Sequence, residues 1–155
     1  MGYRADIAAY DNAGKVVLIV EVKSRRGTSA DWAAKTRRNI LAHSSALAVP
    51  YFLLALPDRF YLWKSTGSET IKEGEPPTFE VDAFPLLRPY YERLGQATAD
   101  SLSGGGFELI VASWLTEILW AQDPSDLSEQ NRQWLEESGL YQALRGARLA
   151  VEAQA

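Results

Sequence analysis

The sequence predicts an α/β fold: a mixed sheet laid out as ββαββ over residues 1–64, then a helical C-terminal half, within a single domain spanning 1–155. Three stretches carry this expectation. Val16 to Val20 are five consecutive apolar residues running into Glu21-Val22-Lys23, the pattern of a strand buried on both faces. Asp11-Asn12-Ala13-Gly14 is turn chemistry directly before that strand. A helical stretch from Ser29 to Ala46 leads into a second apolar run, Tyr51 to Leu56. With 155 residues, 46% of them hydrophobic, the chain can bury one real core.

Taken in order, Tyr3 to Tyr10 alternates and reads as the first strand, joined by a hairpin to Val16–Lys23. Thr28 is placed to cap the following helix, with Asp31 at its third position. Trp32, Thr36, Ile40, Leu41, Ser44 and Leu47 give that helix a moderately apolar stripe. Pro57-Asp58 turns the chain after Tyr51–Leu56, and Arg59 to Lys64 reads as an alternating or edge strand. Residues 65–83 form a loop or ragged hairpin, with a short strand at Thr78–Val81. From 84 to 155 a helical extension packs on the core. It comprises Phe84–Ala99, a break at Ser103–Gly106, Phe107–Ala121, a helix capped by Ser125 or Asp126, and a last helical segment from Leu140 to Val151. The Phe107–Ala121 helix is apolar almost all round, which marks a buried helix or an interface, and a homodimer through Phe107–Trp120 would be such an interface.

There are no cysteines, so disulfides and thiolate metal sites are excluded. Arg4 and Asp6 interrupt the N-terminus, no apolar run is long enough to span a membrane, and a cytoplasmic protein is expected. The net charge of −4 is uneven. Residues 1–66 carry ten Lys and Arg against five Asp and Glu, and the remainder carries six against fifteen. A basic half beside an acidic half suggests a division of duties.

Side chains alternate along a strand, so Glu21 and Lys23 share one face. With a four-residue loop, Asn12 to Lys15, the hairpin register sets Asp6 across from Glu21, with Cβ atoms about 4.5–5.5 Å apart. Two carboxylates so close repel unless they share a proton or a cation. Asp6 and Glu21, with the Val22 backbone carbonyl as a third oxygen, form a donor set for Mg²⁺, or Mn²⁺ in its place. Lys23 would stabilise charge developing beside the ion. Arg25, Arg26, Lys35, Arg37 and Arg38 would contact the phosphates of DNA.

Arg4-Ala5-Asp6, the strand ending Glu21-Val22-Lys23, the following helix and the strand Tyr51–Leu56 together resemble the PD-(D/E)XK nuclease superfamily. The resemblance covers roughly the first 64 residues. It implies a restriction endonuclease-like core of order αβββαβ, in which Asp6 and Glu21 are metal ligands, Lys23 is the catalytic lysine and DNA is the substrate. Ala5 stands where the motif has Pro. The helix that precedes the first strand in that superfamily, and often supplies a further acid, has no counterpart before Asp6. The helix after the motif lacks the Gln that some members carry there, and Lys35 is the candidate for that supporting role. The alternative is a DNA-binding or protein-interaction module that keeps the fold without turnover.

His43 is the lone histidine, so no His-based relay or metal site is expected. Gly104–Gly106 lacks the Lys-Ser/Thr of a phosphate loop and reads as a linker. Core packing is the expected role of Trp32 and Trp63, and core or interface that of Trp114, Trp120 and Trp134.

Overall fold

Leu18, Ile19 and Val20 are fully buried, as a strand covered on both faces requires, and the sheet grows outward from them. The computed structural model describes residues 4–42, 49–65, 75–95 and 104–154. The elements in chain order are β1 (Arg4–Tyr10), β2 (Val16–Val22), α1 (Ala30–Leu41), β3 (Tyr51–Ala55), β4 (Arg59–Lys64), β5 (Phe79–Asp82), α2 (Phe84–Arg93), α3 (Gly104–Trp120), α4 (Glu129–Ser138), α5 (Leu140–Ala143) and β6 (Arg148–Gln154). The strands form one mixed six-stranded sheet in the order β5-β4-β3-β2-β1-β6. Only the β2–β3 pair is parallel, as a crossover through α1 demands.

The sheet separates two cores. On one face Ala8, Ile19, Phe52, Leu54, Tyr61 and Trp63 pack under α1. On the other, Ile7, Ala9, Leu18, Val20, Leu53 and Leu62 meet α2, α3, α4 and α5. α3 is the central helix of that layer. Phe107, Ile110, Val111, Trp114, Leu115 and Ile118 are buried, so its apolar character is spent mainly inside its own fold. What remains exposed is Leu109 (65%) and Trp120 (77%). Trp114 stands edge-on to Phe60 and stacks parallel to Trp134 at 6.0 Å. Its Nε1 donates to Asn131 Oδ1 at 3.0 Å.

Several boundaries differ from expectation. The last segment is not a continuous helix: α5 ends at Ala143, the chain turns through Gly146 at φ 74°, and Arg148–Gln154 becomes β6 beside β1. Alternating Leu149, Val151 and Ala153 suits a strand, and pairing with β1 overrides the helix propensity of Ala, Leu, Arg and Glu. Gly104–Gly106 is not a linker; these glycines open α3. Ser29, not Thr28, caps α1, its hydroxyl accepting the Trp32 N–H. α4 starts after Ser128, while Asp123 caps a short 3-10 turn at Pro124–Asp126. β4 is an inner strand, buried from Phe60 to Trp63, because β5 takes the edge. The end of the α1 helix past residue 42 with His43, loop residues 66–74, and 96–99 of the Phe84–Ala99 helix lie outside the described residues.

Candidate functional site

β1 and β2 pair with Ile7 opposite Val20, Ala8 opposite Ile19 and Ala9 opposite Leu18. The recorded pairs end there, one residue short of Asp6 and Glu21. The offset of these three pairs is the one the hairpin expectation needs, but it is reached differently. Tyr10 pairs with Val16, and a bulge between Ala9 and Tyr10 restores the pairing further along. The turn is closed by the Asp11 N–H to the Lys15 carbonyl at 2.8 Å, and Asp11 Oδ1 accepts the N–H groups of Ala13 and Lys15, both at 2.9 Å. That Asx turn fixes how the hairpin enters β2.

Glu21 pairs with Leu54 of β3. It is only 7% exposed. Burial raises its pKa to about 7; Lys23 and a hydrogen bond from the Asp6 backbone lower it, and the charge of Glu108 raises it. Asp6 is half-buried, and its Oδ2 accepts the Val22 N–H at 2.8 Å, so the carboxylate is held against the end of β2. Val22 is thus tied to Asp6 through its N–H. Lys23 lies just beyond β2, exposed, with its main-chain N–H donating to the Ala55 carbonyl at 3.1 Å. Burial ends between Glu21 and Lys23: a protected carboxyl stands next to a solvent-facing ammonium.

The five basic residues separate into two groups. Arg25, Arg26, Lys35 and Arg38 are exposed. Arg25 lies over the ring of Trp32, 5.2 Å from its centroid. Arg37 is instead 3% exposed beneath α1, its guanidinium 5.7 Å from the Phe52 ring and 5.5 Å from the Trp63 ring. Burial lowers its pKa and Glu75 acts against that. The buried stripe of α1 is Ala33, Ala34, Arg37 and Leu41, because the two small alanines let the helix close on the sheet. Spacings of four from Ala33 through Arg37 to Leu41 were the available clue, masked by the charge of Arg37.

Two features were not anticipated from the sequence. Glu108, near the start of α3, is close enough to influence Glu21 although 87 positions separate them. Asp58, in the β3–β4 turn, accepts the Gly27 N–H through Oδ2 at 3.0 Å. No local pattern announces either, since both depend on how distant elements pack.

Asp6 and Glu21 are oxygen donors of the kind that Mg²⁺ takes, one or two carboxylates at a time with several waters kept. They do not form a dedicated cage: among the described residues no group of three or more His, Cys, Asp or Glu side chains is gathered to hold a metal. Away from these residues, a concavity of about 300 Å³ between α2, α3 and the start of α4 is self-satisfied. There Tyr90 and Arg93 donate to the two oxygens of Glu117, at 2.6 and 2.8 Å, leaving that carboxylate no unmet demand. Among the described residues no helix is long and apolar enough to cross a membrane. No protein-family model matches the chain, and neither a curated protein nor a solved structure does.

Proposed function

We propose that this chain is a metal-dependent nuclease that hydrolyses phosphodiester bonds in DNA, with Asp6 and Glu21 as metal ligands and Lys23 as the catalytic lysine. The observation that carries the reading is the end of β2. A buried carboxyl with its pKa near 7, a carboxylate tied to the next backbone N–H, and an exposed lysine follow one another there. The spatial order adds support. β6, β1 and β2 are successive antiparallel neighbours, and α1 then crosses over to the parallel β3. This neighbourhood supports reading the core as a βββαβ run whose first strand is drawn from late in the chain, with a Glu-bearing helix, α3, also coming late.

Mg²⁺ bound there would acidify a water and offset phosphate charge. Asp6 and Glu21 would orient it from adjacent strands. The Lys23 ammonium would sit beside a non-bridging phosphate oxygen and stabilise charge building up on it. Arg25, Arg26, Lys35 and Arg38 would hold the flanking phosphates. Arg37 would instead support α1 from beneath.

The test is cleavage of plasmid and branched DNA with Mg²⁺ or Mn²⁺ by wild type, Lys23→Ala and Asp6→Ala. Metal-dependent cutting, reduced at least 10²-fold in both variants, is expected for loss of charge stabilisation. Absence of cutting by wild type on every substrate overturns the enzyme reading. The second reading, a DNA-binding module without turnover, is favoured by the lack of a three-carboxylate group among the described residues. It predicts salt-sensitive binding with no cleavage.

A further inference from the structure

The loop from Ser24 to Thr28 carries Arg25 and Arg26 and is exposed from Ser24 to Gly27, yet its backbone is held at several points. Lys23 N–H is bonded to Ala55 before it, and Ser29 caps α1 after it. Between these, Gly27 N–H donates to Asp58 Oδ2 at 3.0 Å, and Thr28 Oγ1 and Tyr61 Oη are 2.8 Å apart in a hydrogen bond. Gly27 has φ 65°, and no atom lies within 4 Å of where a Cβ would stand. The glycine therefore serves the turn and not a close approach.

The two anchors are themselves held for independent reasons. Tyr61 is fully buried on β4, with only its hydroxyl reaching the loop. Asp58 sits in a turn closed by Leu56 N–H to the Arg59 carbonyl at 3.1 Å, and its own carbonyl accepts the Ala83 N–H at 3.2 Å. Asp58 Oδ1 is buried without a hydrogen-bond partner among the described residues. A carboxylate kept there at that cost has its one described side-chain bond directed at the basic loop. Arg25 is held in turn against Trp32.

We propose that Asp58 and Tyr61 are positioning residues. They latch the β2–α1 loop so that Arg25 and Arg26 are presented, already ordered, to the phosphate chain passing Lys23. The inference rests on the DNA-cleaving reading above. A loop fixed before binding loses less freedom on binding, and each arginine that meets a phosphate adds to the salt dependence. Asp58 and Tyr61 touch neither substrate nor metal in this scheme; they act through the loop.

The test uses the full chain, with wild type, Asp58→Ala, Asp58→Asn, Tyr61→Phe and Arg25→Ala/Arg26→Ala. Amide exchange at Gly27 is measured together with the salt dependence of binding to a short DNA duplex, and kcat and KM wherever cleavage is seen. Asp58→Ala is expected to speed Gly27 exchange about tenfold and to weaken DNA binding about tenfold, with the salt slope falling by roughly one per arginine released. KM rises while kcat stays, and Asp58→Asn recovers part of the loss. Adding Asp58→Ala to the arginine pair costs little more, since both act on one contact. Tyr61→Phe keeps the buried ring and gives a smaller effect in the same direction. Faster Gly27 exchange with wild-type affinity and slope overturns the positioning role. So does an unchanged Gly27 rate in Asp58→Ala. If wild type binds no DNA at any salt, the nuclease reading fails and the latch loses its purpose. If wild type binds without cutting, turnover fails while affinity and slope still decide the latch.

Discussion

Glu21 is the residue whose chemistry and stability oppose each other. Its carboxyl is raised from 4.5 to about 7 chiefly by burial, so the folded protein holds the proton more tightly than the unfolded chain does. The stability this contributes is fully present below about pH 4.5 and is lost as pH rises through about 7. The whole swing is on the order of 3 kcal/mol. Glu21→Gln, neutral at every pH, should flatten it. Urea unfolding at about pH 5 and pH 8 should show the wild type losing stability relative to the variant. Equal pH responses would mean that the buried carboxyl ionises without penalty. At this scale the sequence was informative where the strand period governs. Alternation put Glu21 and Lys23 together, and the Lys23 charge does act on the Glu21 carboxyl, which the Asp6 N–H also reaches. It was uninformative where charge and burial disagree. Arg37 looked like a phosphate contact, and only the packing of Phe52, Trp63, Ala33 and Ala34 puts it under α1. Cation–aromatic contact lessens the cost of burying a guanidinium, but no rule of spacing marks which arginine accepts that role.

Among the elements, α3 depends on a residue outside itself. Its last turn carries no basic side chain, and its terminal carbonyls would be left to solvent. Arg145 supplies the charge, donating to the Ile118 and Ala121 carbonyls and, at 3.4 Å, to that of Leu119. The guanidinium also stacks on Tyr141, 3.8 Å from the ring centroid, and Tyr141 Oη donates to Ala121 at 2.8 Å. Arg145→Ala should therefore cost about 2 kcal/mol, since several carbonyls lose a charged donor at a helix C-terminus. Arg145→Lys should recover less than half, lacking the planar fork. Denaturant titration followed by tryptophan fluorescence measures both, and an Arg145→Ala variant as stable as wild type would show that water replaces the cap at no cost. The helices also mark the limit of pattern reading. The apolar run of α3 was plain, but three glycines before Phe107 read as a break because glycine is a poor helix former; at a helix start that weakness matters least. The stretch after Leu140 failed in the opposite direction. Its residues favour helix, and a partner strand more than a hundred residues away decides otherwise.

For the molecule as a whole, that partner strand sets the arrangement of the site. Pairs from Arg4–Gln154 to Tyr10–Arg148 join the two ends of the described chain. They turn β1, the strand of Asp6, from a sheet edge into an interior strand. This closure could not be read locally, because such long-range pairing depends on the assembled core and not on nearby residues. Its contribution to global stability should be moderate. Leu149 and Ala150 are only partly buried and Val151 is half exposed, so β6 adds chiefly ladder hydrogen bonds. Removing residues 148–154 should cost on the order of 3 kcal/mol, within the 5–15 kcal/mol or so typical of a domain. The truncated chain should still fold, with a lower Tm, because the two cores on β2, β3 and β4 remain intact. The larger effect should fall on β1. Its amides should exchange much faster than those of β3, and under the proposed function DNA cleavage should drop further than stability does, because Asp6 would then sit on a fraying edge. Uniformly faster exchange across β1 and β3 would instead mean that β6 belongs to the global folding unit. Wild-type exchange in β1 would mean that the β1–β2 ladder and its bulge hold Asp6 without help from the far end of the chain.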